Sequence, residues 1–189
     1  MTKNSKSENT IMRLWLLIHR VRDALFLCED SAFEEFGLTT EQFTLLAAVK
    51  GAGGSQRPGE LAGLMDRSPN SVSMLIDRMV KAGLVRRIRD RKDRRVVNVM
   101  LTNKGEEALG PALVVGWQLV QKILSPLSEE DKSTLANLLE IVKCECFGYL
   151  NPGMNMADIK RSSVTNRPDL YKQMLENVLD PSYDTKKQT

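Results

Sequence analysis

Residues 66–101 constrain the fold more than any other part of this chain. Ser68 is a good helix N-cap, and Pro69 stands at the first helical position, where a missing N–H costs nothing. Val72, Leu75, Ile76, Met79 and Val80 follow at i, i+3, i+4 and i+7 spacing, the apolar stripe of an amphipathic helix. Gly83 supplies the C-terminal stop. Two β-rich runs come next, 84–89 and 96–101, with Val97, Val99 and Leu101 alternating in the second. Between them lies the polar stretch Asp90-Arg91-Lys92-Asp93-Arg94-Arg95. The spacing therefore predicts a helix that leads directly into a basic hairpin.

Upstream, Thr39-Thr40-Glu41-Gln42 has the form of a capping box opening a helix with Phe43, Leu46 and Val49 inward. A short helix over 58–65 turns Leu61 and Leu64 inward, and a three-residue turn joins it to the helix begun by Ser68. Two short helices, a tight turn and a basic hairpin form the order of a winged helix-turn-helix. On either side the pattern is helical. Residues 7–36 carry apolar side chains at Ile11, Leu14, Trp15, Ile18, Val21 and Leu25, and Leu17, Ala24 and Cys28 add a second stripe. A helix apolar on more than one side needs more than one packing partner, which points to a subunit interface. Thr102 caps a further helix, expected to be interrupted early by a kink at Gly110-Pro111, that runs on through Val114, Leu119 and Ile123 to Ser125-Pro126. Ser128 caps the last long helix, with the stripe Leu135, Leu138, Leu139 and Val142. The fold class is thus mainly α with a small β-wing. Residues 1–36 plus 103–147 are expected to form a helical dimerisation region and residues 37–102 the winged helix-turn-helix. Residues 148–189 are expected to be a partly irregular extension, with a short helix expected over 168–179.

Charge is segregated along this plan. Residues 57–105 hold 12 Lys/Arg and five acids, a balance of +7, whereas the whole chain is only +3 and the remainder is −4. A basic middle between acidic arms suits a polyanion-binding module on a non-binding scaffold. The helix face opposite the apolar stripe presents Asn70, Ser71, Met74, Arg78 and Lys81, with Ser73 on its shoulder. Asn and Ser reach base edges or phosphates, and Arg pairs with phosphate or guanine in a major groove about 12 Å wide. Ser68 places the helix N-terminus where it suits a phosphate oxygen. Arg89, Arg91, Lys92, Arg94 and Arg95 supply five basic residues within seven positions of the wing, enough for backbone contacts or insertion into a minor groove.

Residues 61–90, LAGLMDRSPNSVSMLIDRMVKAGLVRRIRD, and 91–105, RKDRRVVNVMLTNKG, closely resemble the multiple-antibiotic-resistance regulator (MarR) family of transcription factors. The wing pair Asp93-x-Arg95 followed by Leu101-Thr102-x-x-Gly105 carries much of that likeness, and the flanking helices extend it to about residues 8–147. The resemblance implies an intertwined all-α homodimer, with the first and last core helices of two chains interlocked. It also implies a pseudo-palindromic double-stranded DNA operator and, most often, repression. By position Arg95 is the wing-tip residue and Asp93 its orienting partner. The resemblance further implies release by a small aromatic or anionic effector, or by cysteine oxidation. Many members carry Arg where this chain has Met74, so base readout there is expected to be apolar or absent.

Other classes fare worse. One histidine, no paired-carboxylate motif and no phosphate-cradling loop leave no catalytic set, so no enzyme and no cofactor are expected. Cys28, Cys144 and Cys146 lack the paired spacing of a structural zinc site, so no metal is expected. They read better as small buried hydrophobes than as redox sensors, although a cysteine-based redox regulator stays an alternative. A winged helix that binds only protein is the other alternative, and it would want an acidic or apolar face in place of this basic one. Trp15 and His19, at i, i+4, are candidates to line a ligand pocket, with a packed interface pair the favoured reading. No apolar run of membrane-spanning length and no secretory leader are present, so a cytoplasmic location is expected.

Overall fold

The computed structural model describes residues 2–89 and 96–155, with side chains from residue 8 onward. The first helix, α1, spans Thr2–Phe33 and ends in a 3-10 turn, Glu34–Phe36, closed by Gly37 in the left-handed region. The helix α2 follows at Thr40–Gly51, then a two-residue strand β1 at Ser55–Gln56 and the helix α3 at Pro58–Leu64. Next come α4 at Pro69–Lys81, β2 at Val85–Arg89 and β3 at Val97–Leu101. Two long helices complete the described chain, α5 at Asn103–Leu124 and α6 at Glu129–Leu150.

The capping residues read from the sequence mark these starts. The Thr39 hydroxyl accepts from the Gln42 N–H, and the Gln42 side-chain Oε1 accepts from the Thr39 N–H. Ser68, Thr102 and Ser128 accept from the N–H groups of Ser71, Gly105 and Asp131. A further cap is invisible to periodicity: Asp30 in α1 accepts from the Thr40 N–H at 2.6 Å, binding the end of α1 to the start of α2.

The core lies where α2, α3, α4 and the sheet meet α5 and the last turn of α1. Leu45, Leu46, Val49, Leu61, Val72, Ile76, Met79, Val85, Val99, Leu109 and Leu113 are buried there, with Phe33 stacked on Phe43 at a centroid distance of 4.1 Å. The sheet order is β1-β3-β2, antiparallel throughout, with Arg87 opposite Val99 and Gln56 opposite Val99 on the other edge.

Three expectations need correction, and one strand is new. Strand β1 was not foreseen, because two residues carry no alternation to detect. Val80 is exposed, not inward: it lies about 40° beyond Ile76, at the edge of the stripe. The helix α5 is not interrupted at Gly110-Pro111. Pro111 withdraws one backbone donor, and buried Leu109, Ala112 and Leu113 anchor the turns on either side. The last helix passes Phe147 and reaches Leu150. The expected helix over 168–179 lies outside the described residues. Among the described residues no helix is long and apolar enough to cross a membrane.

Candidate nucleic-acid interface

The turn between α3 and α4 aims the candidate reading helix. Asp66 adopts φ 49, the left-handed region that ends many helices. The Asp66 N–H donates to the carbonyl of Gly63, and the Arg67 N–H donates to that of Ala62 at 3.0 Å. This closes α3 and turns the chain so that Ser68 can open α4 at once. The Ser68 hydroxyl also lies 2.8 Å from the hydroxyl of Ser71, so both serines are engaged at the helix N-terminus.

The α4 helix is two-faced. Val72, Leu75, Ile76 and Met79 are buried, while Asn70, Ser71, Met74, Arg78 and Lys81 face solvent and Ser73 is half-buried on the flank. At its far end Gly83 takes φ 72, and the N–H groups of Gly83 and Leu84 donate to Val80 and Met79. The strand β2 is then fixed to α4 by an ion pair between Arg87 and Asp77 at 2.6 Å. Arg86 and Arg89 are exposed on the same strand. The remaining wing residues, Arg91, Lys92, Arg94, Arg95 and the orienting Asp93, lie outside the described residues.

A knot of polar contacts joins this unit to α5. The Thr102 hydroxyl donates to the carbonyl of Gly83 at 2.6 Å or to that of Leu84 at 3.1 Å, and the Thr102 N–H also donates to Leu84. The Lys104 ammonium donates to the Ala82 carbonyl at 2.9 Å, complementing the negative end of α4. From α2, Lys50 contacts both carboxylate oxygens of Glu106 at 2.9 and 2.7 Å. Sequence reading found Thr102 and Gly105 but missed Lys50, Lys104, Asp77 and Glu106, whose partners stand on other elements and leave no local pattern.

The exposed faces lie on the long helices. Ile11, Leu14, Trp15, Ile18 and Val21 of α1 are exposed, as are Leu135, Leu138, Leu139 and Val142 of α6. Trp15 and His19 do touch, edge to face at 4.9 Å, and both face solvent on a single chain. Cys144 is buried, but Cys28 and Cys146 are exposed, against the expectation that all three are buried. They sit on the same helices as the apolar stripes, so one chain alone does not cover them. Among the described residues no group of three or more His, Cys, Asp or Glu is placed to hold a metal.

A model of the MarR family matches residues 36–96, the helix-turn-helix and the start of the wing. The HTH-type transcriptional regulator PecS of Dickeya dadantii is 30% identical over 132 residues, 69% of this chain and 75% of that protein. The chain belongs to the MarR family. It is also similar to the HTH-type transcriptional repressor MdtR of Bacillus subtilis, 31% identical over 107 residues, 57% of this chain and 68% of that protein. Among solved structures, a cysteine-to-serine mutant of MarR from Escherichia coli, complexed with operator DNA, superposes with a TM-score of 0.65. The two are 27% identical, over 71% of this chain and 96% of that one. This MarR-family chain is thus a DNA-binding transcriptional regulator of winged-helix architecture, and its relatives form a non-enzymatic family.

Proposed function

We propose that two copies of this chain bind one pseudo-palindromic operator and repress the adjoining gene. Each copy lays α4 in a major groove, with Ser68, Asn70, Ser71, Ser73, Arg78 and Lys81 towards the DNA. The wing arginines Arg91, Arg94 and Arg95 lie along the flanking backbone, and Asp93 orients Arg95. The two-faced character of α4 carries the reading: its buried stripe anchors the helix and leaves a polar, cationic face exposed beside a basic strand. The apolar stripes exposed on α1 and α6 support two copies, since surfaces of this kind on a single chain mark a contact with another. We further infer release by a small aromatic or anionic effector bound between the helical stem and the DNA-binding unit, with Trp15 and His19 as candidate lining residues.

Footprinting on the DNA upstream of the chain's own gene tests this. The expected result is a pair of protected half-sites about 34–36 Å apart, one helical turn. Arg95→Ala should weaken binding to that site by about 1–3 kcal/mol. A single unpaired footprint, or an Arg95→Ala variant of unchanged affinity at moderate salt, would remove this assignment. The thiol reading has one observation in its favour, the exposure of Cys28 and Cys146. Peroxide that lifts the footprint, with a reducing thiol restoring it, would establish cysteine control; an unchanged footprint would dismiss it.

A further inference from the structure

Arg78 of the outward α4 face and Arg67 of the turn before it converge on one carboxylate. Glu41, in the first turn of α2, has Oε1 at 3.6 Å from Nη2 of Arg67 and Oε2 at 3.5 Å from Nη2 of Arg78. The pairs are loose and partly exposed, the kind that an arriving acceptor displaces. The capping box of Thr39 and Gln42 holds this turn in place, so the carboxylate is presented from a fixed backbone. It borders a hollow of about 300 Å³ that Ser71, Met74, Leu75 and Met65 also line. Ser71, Met74 and Arg78 belong to the outward face of α4, so the carboxylate borders the face that the operator reading turns to DNA.

A carboxylate in that position works against phosphate. It repels the backbone directly, and it occupies two cations that would otherwise neutralise phosphates on any sequence. Binding to random DNA rests almost wholly on that electrostatic term, so it bears the full penalty. A correct site offers Arg78 more than charge, namely a base edge or a phosphate held at a fixed place. We propose that Glu41 is a specificity-determining residue: it restrains Arg67 and Arg78 and penalises non-cognate DNA more than the operator. This is discrimination by an element set against the wrong partner. It rests on the operator reading above.

Wild type, Glu41→Gln and Glu41→Asp are to be titrated on two duplexes of equal length and base composition. One carries the footprinted site and the other a scrambled version. Glu41→Gln should bind the scrambled duplex about 3- to 10-fold tighter, while its affinity for the site stays within about twofold. On the scrambled duplex its log–log salt dependence should steepen by about one, as a freed arginine neutralises another phosphate. Glu41→Asp keeps the charge and should leave scrambled-duplex affinity near wild type. A purely structural role would move the melting temperature and not the salt slope. Equal gains on both duplexes, no gain on either, or Glu41→Asp matching Glu41→Gln on scrambled DNA would overturn the proposal. A wild type that does not distinguish the duplexes would overturn the operator reading itself, and this inference with it.

Discussion

A Cβ added to Gly105 would stand 2.1 Å from the carbonyl oxygen of Leu84 and 3.1 Å from its carbon. Both are backbone atoms, and the oxygen already accepts from Thr102, so neither can swing aside. Gly105→Ala should therefore destabilise the protein by about 1–3 kcal/mol or more, read by chemical denaturation. The sequence shows Gly105 as part of a recurrent pattern, but the reason lies in a carbonyl 21 residues earlier in the chain. A different kind of strain sits at Glu29. Partial burial, and then the neighbouring Asp30, push its carboxyl above the ordinary range. A carboxyl raised on folding binds its proton more tightly in the folded state, so stability is lost as pH rises through the folded pKa. Glu29→Gln should thus be more stable than wild type at neutral pH, by less than about 1 kcal/mol because the carboxylate still meets water. The gain should vanish below about pH 4, where the unfolded chain is protonated as well. Thermal melts at several pH values check both halves.

At the scale of elements, local chemistry was readable and distant pairing was not. Thr39, Ser68, Thr102 and Ser128 each cap the helix expected of them, because a cap depends on three or four consecutive residues. The buried stripe of α4 was legible for the same reason, apart from Val80 at its edge. Strand β1 was not, since its pairing to Val99 and Met100 is set by a fold formed more than 40 residues on. The ion pairs Arg87–Asp77 and Lys50–Glu106 and the two arginines on Glu41 share that cause. The turn into α4 yields a prediction of its own. Asp66 holds a left-handed conformation that disfavours L side chains. Asp66→Gly should raise stability by about 0.5 kcal/mol, the relief of strain less the greater freedom of glycine when unfolded. A denaturant midpoint that falls would mean that the Asp66 side chain itself supports the turn.

For the molecule as a whole, the uneven distribution of apolar surface decides the outcome. The core is closed around α2 to α5, yet Leu135, Leu138, Leu139, Ile141 and Val142 of α6 are all exposed. The sequence announced these stripes and the surplus on α1, but a single chain does not say which surface covers which. If a second copy covers them, wild type is a dimer at micromolar concentration by light scattering. Leu138→Glu should then weaken association by at least about tenfold and leave the monomer folded, because Leu138 takes no part in the core of one chain. A variant that still runs as a dimer would place the contact elsewhere. The contacts around Thr102 bear on how such a pair would behave. Carbonyls at the end of α4 are gripped by the hydroxyl of Thr102 and the ammonium of Lys104, at the very residues that begin α5. Lys50 grips the next turn from the other side. Among the described residues, direct hydrogen bonds thus join the start of α5 to the end of α4. A twist applied to α5 would therefore reach α4 through these contacts as a change of heading.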